Sequence, residues 1–355
     1  MAEEIIDAPN MAALAAELDA SDMLGHLRNF ARDIAGAWDA APNWDLAGLE
    51  GREWRGVLCL GMGGSASGGD FLGALANHEG NMPFIAHRSY GLPAWVDANW
   101  LVIATSYSGN TEETLDAAKA ALDAGLSLVA LSTGGGLQGL AESAGVPWIQ
   151  LPSGQPPRSA FGHIFGAQFA LAERLGLLPE MAAGEKASLL ADLGDVLTSC
   201  DFTAEGDEIH PLTEVAISLL GREVAVHAAA ELGPAAYRCM CQINENSGAF
   251  ARAQVVPEMN HNEAVAWGET YEDQAMLLFT WEKMHTRVGL RIDWAEDNIV
   301  PDPYWRFECV DATLIGAMLH AVVIMDWLSC ALALLRGKDP TAIGPITALK
   351  SHLAQ

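Results

Sequence analysis

The sequence predicts an α/β fold made of two doubly wound parallel sheets, each sandwiched between helices. Short apolar runs alternate with segments of helical periodicity, which is typical of strands buried on both faces. The intervals between the runs are long enough for crossover helices. With 355 residues, of which 50% are hydrophobic, the chain has enough apolar material for the cores of two lobes.

The first half of the chain begins with a helical lead over residues 11–38. Five strands are then predicted, at residues 57–60, 83–87, 100–104, 126–131 and 147–150. Helices are predicted near 70–77 and over 112–124, 137–144 and 160–175, the last after a loop rich in Pro and Gly at 152–158. This alternation predicts one parallel sheet with helices on both faces.

A polar, mixed stretch over residues 179–207 leads into a second half of the same kind. Its strands are predicted at 223–227, 251–256, 275–281 and 305–310, and its helices near 211–220, 233–245, 285–294 and 312–335. No close sequence repeat relates the halves. We therefore divide the chain into a helical lead (1–45), a first subdomain (46–178), a connecting segment (179–206), a second subdomain (207–338) and a helical tail (339–355).

Two small-residue segments follow predicted strands, and both have the composition of a phosphate-binding loop. The first reads Gly-Met-Gly-Gly-Ser-Ala-Ser-Gly-Gly over 61–69, and the second reads Ser-Tyr-Ser-Gly-Asn-Thr over 106–111. A strand that continues through glycines and hydroxyls into a helix directs N–H groups and the positive helix end toward an anion. The candidate phosphate-binding residues are Gly64, Ser65, Ser106, Ser108 and Thr111.

Dinucleotide binding is the main alternative for a glycine-rich loop after a strand. The first loop is too rich in serine for that fingerprint, and no acidic residue ends the next strand, 83–87, where a ribose contact is expected. A Walker loop is absent because Gly-Lys-Ser/Thr does not occur. The pattern favours a phosphate held by hydroxyl and backbone donors.

The charge balance argues against two classes of partner. Lys and Arg number 19 and Asp and Glu 46, for a net charge of −27, which disfavours a nucleic acid or an anionic membrane. The first ten residues carry acids where a signal peptide needs basic residues. The most apolar run, 314–335, contains His320 and Asp326, which favours a buried helix over a membrane span. Six irregularly spaced cysteines predict reduced core thiols in a cytoplasmic protein.

Five segments carry a resemblance when they are taken in order: 61–65, 106–114, 157–161, 242–246 and 257–263. The last two read Gln-Ile-Asn-Glu-Asn and Pro-Glu-Met-Asn-His-Asn-Glu. This order resembles the bifunctional phosphoglucose/phosphomannose isomerase family, which belongs to the sugar isomerase (SIS) superfamily. Ser-Tyr-Ser-Gly-Asn-Thr marks only the superfamily, whereas the last two motifs together are much more specific. The resemblance extends from about residue 24 to the C-terminus.

The resemblance implies two SIS-type subdomains and a metal-free aldose–ketose isomerase without a cofactor. Its substrates are then glucose 6-phosphate and mannose 6-phosphate, each interconverted with fructose 6-phosphate through ring opening and a cis-enediolate. It also implies a homodimer with shared active sites. His261, which opens the ring, then enters the site from the neighbouring subunit, and Lys350 resembles the lysine that assists this step.

Two further residues fit the chemistry of proton transfer between C2 and C1. Glu245 is the candidate base, and the two flanking asparagines are expected to hold it in place by hydrogen bonds. Arg158, in a loop stiffened by two prolines, is the candidate donor to the enediolate oxygens. Each catalytic candidate has a plainer alternative. His261 then caps a helix that begins near Asn260 or bonds its neighbours, Glu245 is a solvated helix-end residue, Arg158 forms a surface ion pair and Lys350 lies in a frayed end.

Zinc chemistry is the other known route to mannose-phosphate isomerisation. The chain has 10 histidines but no His-Glu-x-x-His, and the spacing of His261 from Glu258 and Glu263 suits neither a helix face nor a strand. We therefore expect no metal. A phosphosugar-binding SIS protein without turnover, or an isomerase of another phosphosugar, remains the alternative. A regulator of that kind usually has a basic DNA-binding segment, which this sequence lacks.

Two departures from the family pattern bear on the site. Ser247-Gly248 follows the Asn-Glu-Asn motif where Ala-Lys is frequent in the family, so a positive neighbour of the base is missing. Ala66-Ser67 stands where the family tends to have Gly and an aliphatic residue. Neither departure removes a catalytic functional group.

Overall fold

The computed structural model describes residues 9–46, 48–204, 208–269 and 272–353. The chain forms two compact units. The first unit is Arg28–Gly194, and the second combines Met1–Leu27 with Asp195–Gln355. Each unit contains one all-parallel sheet, as predicted. The predicted boundary at 206/207 and the outermost residues of the predicted lead and tail, 1–8 and 354–355, lie outside the described residues.

The predicted helical lead consists of three helices, α1 (Met11–Leu18), α2 (Met23–Arg28) and α3 (Phe30–Ala40). The chain does not continue as one helix because the Asp19 carboxylate accepts hydrogen bonds from the amides of Met23 and Leu24, at 2.7 and 2.9 Å. This carboxylate caps the start of α2, as short polar side chains do at helix N-termini.

In the described part of the first unit, five strands pair in the order β2-β1-β3-β4-β5. They are β1 (Gly56–Leu60), β2 (Phe84–His87), β3 (Trp100–Thr105), β4 (Ser127–Ser132) and β5 (Trp148–Gln150). The helices between and after them are α4 (Gly63–Glu79), α5 (Glu112–Asp123), α6 (Gly135–Ala144) and α7 (Phe161–Arg174). Aliphatic side chains of β1, β3 and β4 pack with α5 and α6 in one core cluster. All five strand predictions are confirmed.

The segment after β1 differs from the predicted loop. Helix α4 begins at Gly63, so residues 63–69 form its first turns, whereas the sequence predicted a helix only near 70–77. A Cβ added at Gly69 would lie 2.6 Å from the Cβ of Cys59, and one at Gly73 would lie 3.0 Å from the carbonyl oxygen of Phe84. The glycines thus let α4 lie directly on the sheet, and this packing outweighs their low helix propensity.

The stretch predicted as polar and mixed contains an 18-residue helix, α8 (Ala183–Cys200). The boundary between the two units falls inside this helix, between Gly194 and Asp195. Most residues of α8 face solvent, so the sequence of this segment is polar and mixed and the helix was not predicted. Helix α9 (Pro211–Ser218) follows, and His210 caps its start by accepting a hydrogen bond from the Leu212 amide at 3.1 Å.

The described second unit has four strands in the order β7-β6-β8-β9. They are β6 (Glu223–Ala229), β7 (Ala251–Val256), β8 (Gln274–Thr280) and β9 (Tyr304–Glu308). The associated helices are α10 (Gly233–Gln242), α11 (Glu263–Trp267), α12 (Thr286–Asn298), α13 (Leu314–Leu335) and α14 (Gly344–Leu353). The helix predicted over 233–245 ends at Gln242 and continues as a π turn, Ile243–Ser247.

Helix α13 is long and apolar enough to cross a membrane by length and composition, with a mean hydropathy of 2.0. However, 89% of that segment is buried inside the structure, so α13 is a core helix, as the sequence predicted.

Candidate active site

The two small-residue segments meet at the carboxyl edge of the first sheet. Strands β1 and β3 are neighbours, and the chain passes from β1 to β2 on one side and from β3 to β4 on the other. Open parallel sheets bind ligands at such a switch point, outside the carboxyl ends of the strands. Gly61 follows β1 and Ser106 follows β3, so both segments begin there.

A buried hydrogen bond joins the two segments. The Ser65 hydroxyl accepts from the main-chain amide of Tyr107 at 3.2 Å. Gln168 of α7 stabilises this junction of the two segments. Its side-chain amide donates to the Thr105 hydroxyl at 2.8 Å and to the Ser65 carbonyl at 3.4 Å. Gly64 and Ser65 lie in the first turn of α4, which begins at Gly63. The Ser65 amide donates to the Met62 carbonyl at 3.1 Å, whereas the first amides of a helix otherwise have no intrahelical acceptor.

The second segment folds as a compact turn before α5. The buried Ser106 hydroxyl donates to the Thr111 hydroxyl at 2.9 Å and accepts from the Thr111 amide at 3.4 Å. The exposed Ser108 hydroxyl accepts from the Asn110 amide at 3.3 Å. Ser106 thus shapes the turn, while Ser108 and the partly exposed Thr111 are accessible to a ligand.

Arg158 lies beside this phosphate-type site. A Cβ added at Gly64 would lie 3.2 Å from the carbonyl oxygen of Pro157 and 3.6 Å from the Cα of Arg158, so the first turn of α4 contacts the Arg158 loop. Arg158 is only 4% exposed, and the alternative of a surface ion pair is therefore wrong. The structure brings Gly64, Ser65, Ser106, Ser108, Thr111 and Arg158 together in the first unit.

Gln155 connects the Arg158 loop to the rest of the unit, a role that the sequence did not reveal. Its side-chain amide donates to the Asp33 carboxylate at 2.8 Å, and its main-chain amide donates to the Tyr107 hydroxyl at 3.4 Å. His163 lies 3.3 Å from the same Asp33 oxygen. Burial raises the pKa of Tyr107 although the hydrogen bond from Gln155 lowers it, so the phenol stays protonated.

Glu245 lies in the second unit, in the π turn that follows α10. The side chain of Asn244 accepts from the Ala251 amide at 2.9 Å and donates to the Ala251 carbonyl at 3.3 Å. The Asn246 amide donates to the Ser329 hydroxyl at 2.9 Å. The expectation that the asparagines hold the Glu245 carboxylate is therefore wrong. They fix the main chain on either side of it and leave the carboxylate partly exposed.

His261 ends a short helical turn, Glu258–His261, after β7. The alternative that His261 caps the following helix is wrong, because the Asn262 side chain caps α11 by accepting from the Glu263 amide at 2.5 Å. The imidazole of His261 is exposed, and within the described chain it has no hydrogen-bond or ion-pair partner. Its ring is thus available to another molecule.

Glu263, two residues after His261, anchors this turn to the sheet. Its carboxylate lies 3.0 Å from Nε2 of the fully buried His227 and forms an ion pair with Arg252. Burial has the largest single effect on the pKa of Glu263 and raises it, but His227 and Arg252 together outweigh burial and lower it to about 2. The ionised carboxylate ties the start of α11 to β6 and β7.

Lys350 lies in α14, where no residue is buried. Glu245, His261 and Lys350 thus all belong to the second unit, apart in sequence from the phosphate-type site of the first. Among the described residues, no three His, Cys, Asp or Glu side chains gather in a way that could hold a metal ion.

Two parallel-sheet units with a hydroxyl- and amide-lined turn at the switch point define a protein of the SIS class. Residues 209–353 match the family model of the bacterial phospho-glucose isomerase C-terminal SIS domain. A bifunctional phosphoglucose/phosphomannose isomerase of Caldicellulosiruptor bescii is 34% identical over 84% of this chain and 89% of that protein. The protein of the same name from Aquifex aeolicus is 31% identical over 87% of this chain and 94% of its own length.

The chain belongs to the bifunctional phosphoglucose/phosphomannose isomerase family and is an isomerase. A solved structure of a hypothetical protein from Thermus thermophilus has the same fold, with a TM-score of 0.70 and 16% identity over 96% of this chain and 92% of that one.

Proposed function

We propose that this chain interconverts glucose 6-phosphate and mannose 6-phosphate with fructose 6-phosphate, without a metal ion or cofactor. The observation that carries the proposal is the site in the first unit. There, two serine-containing turns meet at the switch point beside the buried Arg158.

The phosphate binds to Gly64, Ser65, Ser106, Ser108 and Thr111. Amides and hydroxyls hold a dianion without a basic residue, and the N-termini of α4 and α5 add the positive ends of two helix dipoles. This mode of binding suits a chain with a net charge of −27, in which cations are scarce.

Ring opening moves a proton between the anomeric hydroxyl and the ring oxygen. His261 performs it because imidazole both donates and accepts protons near neutral pH. Its exposed ring, without a partner in the described chain, supports this role. Lys350 assists. His261 acts in the site of the neighbouring subunit, so the enzyme is a homodimer with shared active sites.

Isomerisation then follows in the open-chain sugar. Glu245 removes the proton from C2 of the aldose, while a proton is added to O1, and a cis-enediol forms. Glu245 returns its proton to C1 as the O2 proton leaves, which gives the ketose. Arg158 stabilises negative charge on O1 and O2 in the transition states. Rotation about the C2–C3 bond presents either face of C2, so both epimers form.

The test uses the purified full chain in a buffer that contains a chelator. Each aldose 6-phosphate is supplied separately, and formation of fructose 6-phosphate is followed. We expect turnover of both substrates. A rate below one-tenth of the chelator-free rate, equivalent to about 1.4 kcal/mol of barrier, would contradict the metal-free mechanism.

Variants separate catalysis from binding. Glu245→Gln is expected to lower kcat by at least about 10²-fold and to leave sugar-phosphate binding intact. Glu282→Gln is the matched control, because Glu282 is exposed and unpaired within the described chain. Binding of either phosphate without turnover by the wild-type protein would indicate a sensor instead, and turnover only of an amino sugar phosphate would indicate a different isomerase. We expect the enzyme to be cytoplasmic.

A further inference from the structure

A polar seam joins α10 to α13 inside the second unit. On α10 and its π turn the seam contains Arg238, Gln242 and Asn246, which are spaced four residues apart, and on α13 it contains Asp326 and Ser329. These spacings place each set on one helical face. Glu245 immediately precedes Asn246, so the proposed base is next in sequence to a residue of the seam.

Asp326 is the centre of this seam. Arg238 donates to one of its carboxylate oxygens at 2.7 Å, and Gln242 donates to the other at 2.8 Å. Arg238, Gln242 and Asp326 are each no more than 3% exposed. Both carboxylate oxygens therefore accept hydrogen bonds from α10, and one of the donors, Gln242, lies only three residues before Glu245.

The residues that follow Glu245 are also tied to α13 and to Arg336, the residue directly after that helix. Asn246 donates to the Ser329 hydroxyl at 2.9 Å, and Arg336 donates from Nε to the Ser247 carbonyl at 3.0 Å. The π turn is thus held both before and after the base. Turns of this kind are rare and occur frequently at functional sites.

Asp326 is a buried acidic residue within an apolar helix. Asp326 is the only acidic residue of α13, and burial raises its pKa while Arg238 and Gln242 act to lower it. Buried ion pairs are often no more stabilising than apolar residues of similar volume, so stability alone does not explain a charge inside so apolar a helix.

We propose that Asp326 is a positioning residue for Glu245: by binding Arg238 and Gln242, it fixes the end of α10 and thereby the direction in which the π turn presents the Glu245 carboxylate to the substrate. The proposal rests on the proposed role of Glu245. A misplacement of about 1 Å can cost about 10²-fold in rate, so a fixed turn has catalytic value beyond its stability.

The main test replaces Asp326 and both of its side-chain donors by apolar residues, in the triple variant Arg238→Met, Gln242→Leu and Asp326→Leu. Removing Asp326 together with both of its donors leaves neither Arg238 nor Asp326 buried without the other, so the variant is expected to fold and to melt near the wild-type temperature. Asp326→Asn is a second variant that keeps the shape of the side chain. Ile324→Ala removes buried volume from the other side of α13, since Ile324 is two residues from Asp326, and controls for destabilisation alone.

We expect kcat of the triple variant to fall at least about tenfold while KM changes by less than about twofold. The isotope effect on kcat with glucose 6-phosphate deuterated at C2 is expected to increase, because a misplaced base slows C2–H cleavage specifically. Ile324→Ala is expected to lower the melting temperature and to leave kcat and the isotope effect unchanged. Asp326→Asn should resemble the triple variant in rate and isotope effect.

Wild-type kcat in the folded triple variant or in Asp326→Asn would overturn the proposal. So would a lower kcat with an unchanged isotope effect, since fewer active molecules produce that result. Glu245→Gln is measured alongside. If it still isomerises, the role of Glu245 fails and the inference fails with it. If it is inactive while the triple variant works normally, only the positioning role fails.

Discussion

The main-chain amide of Tyr107 donates a hydrogen bond to the hydroxyl of Ser65 at 3.2 Å. Because the serine oxygen accepts there, its own proton stays available to donate to a phosphate oxygen. A single buried contact therefore both joins the two phosphate-type segments and orients one of their donors.

Two serines of the second turn are expected to respond differently to alanine. Ser108 is exposed, so Ser108→Ala should remove one hydrogen bond to a charged group and raise KM for fructose 6-phosphate by about tenfold, with an unchanged melting temperature. Ser106 is buried and shapes the turn, so Ser106→Ala should raise KM and also lower the melting temperature. Equal effects of the two variants on stability would contradict this division of roles.

Gly109 and Gly125 have the same backbone conformation but different surroundings, so their substitutions can be compared directly. Both have positive φ, +70° and +71°, but a Cβ at Gly109 would lie 1.8 Å from the Gly134 carbonyl oxygen, whereas one at Gly125 would meet nothing within 4 Å. Gly125→Ala should cost about 1 kcal/mol of stability and leave activity intact. Gly109→Ala should cost clearly more and raise KM, because the turn must shift. Urea unfolding measures the stability of both variants, and steady-state kinetics measure their KM. Similar losses of stability would contradict the close approach of the Gly134 carbonyl to Gly109.

Glu263 gives the fold a defined acid dependence. Its pKa falls from 4.5 to about 2 in the folded chain, so its ionised form stabilises the fold fully above pH 4.5, and this contribution is lost as the pH falls through 2. The difference in unfolding free energy between wild type and Glu263→Gln should therefore be largest above pH 4.5 and shrink toward pH 2. Urea titrations at several pH values measure it. Glu282→Gln, at an exposed position without a partner in the described chain, is the control substitution measured alongside.

Thiol reactivity should distinguish one cysteine from the other five. Burial raises the pKa of Cys59 to about 12 and of Cys200 to about 11, and Cys239, Cys309 and Cys330 are also buried. Cys241 is partly exposed. Because the thiolate is the reactive form, an aromatic disulfide reagent at pH 8 should label Cys241 first. Cys241→Ser should remove this fast phase; persistence of the phase would contradict the assigned burial.

Local sequence patterns were sufficient to predict much of the fold. Strand β1 was predicted at residues 57–60 and is observed at Gly56–Leu60, because a buried parallel strand is a short apolar run that can be recognised without its neighbours. The glycine-rich start of α4 could not be recognised in this way. Gly69 and Gly73 are helical because the sheet approaches closely, and the sequence of α4 does not contain that information.

The candidate site was likewise predictable from the sequence only in part. Residue type and order indicated Ser65, Ser106, Arg158, Glu245 and His261 as candidates. The side chains that fix the surroundings of these candidates were not predictable. Gln155 holds the Arg158 loop, His227 contacts Glu263, and Asp326 binds the end of α10. The isolated acid in the apolar run 314–335 was the one available signal for Asp326.

By itself, the sequence determined the alternation of strands and helices, the hydroxyl-rich segments after β1 and β3 and the candidates for the reactive groups. These features depend on neighbouring residues and on the chemistry of single side chains. Only the tertiary structure decided that Asn244 and Asn246 bind Ala251 and Ser329 instead of Glu245. It also decided that Arg238 meets Asp326, 88 residues away. Hydrogen-bond partners distant in the chain are selected by packing, which no local pattern encodes.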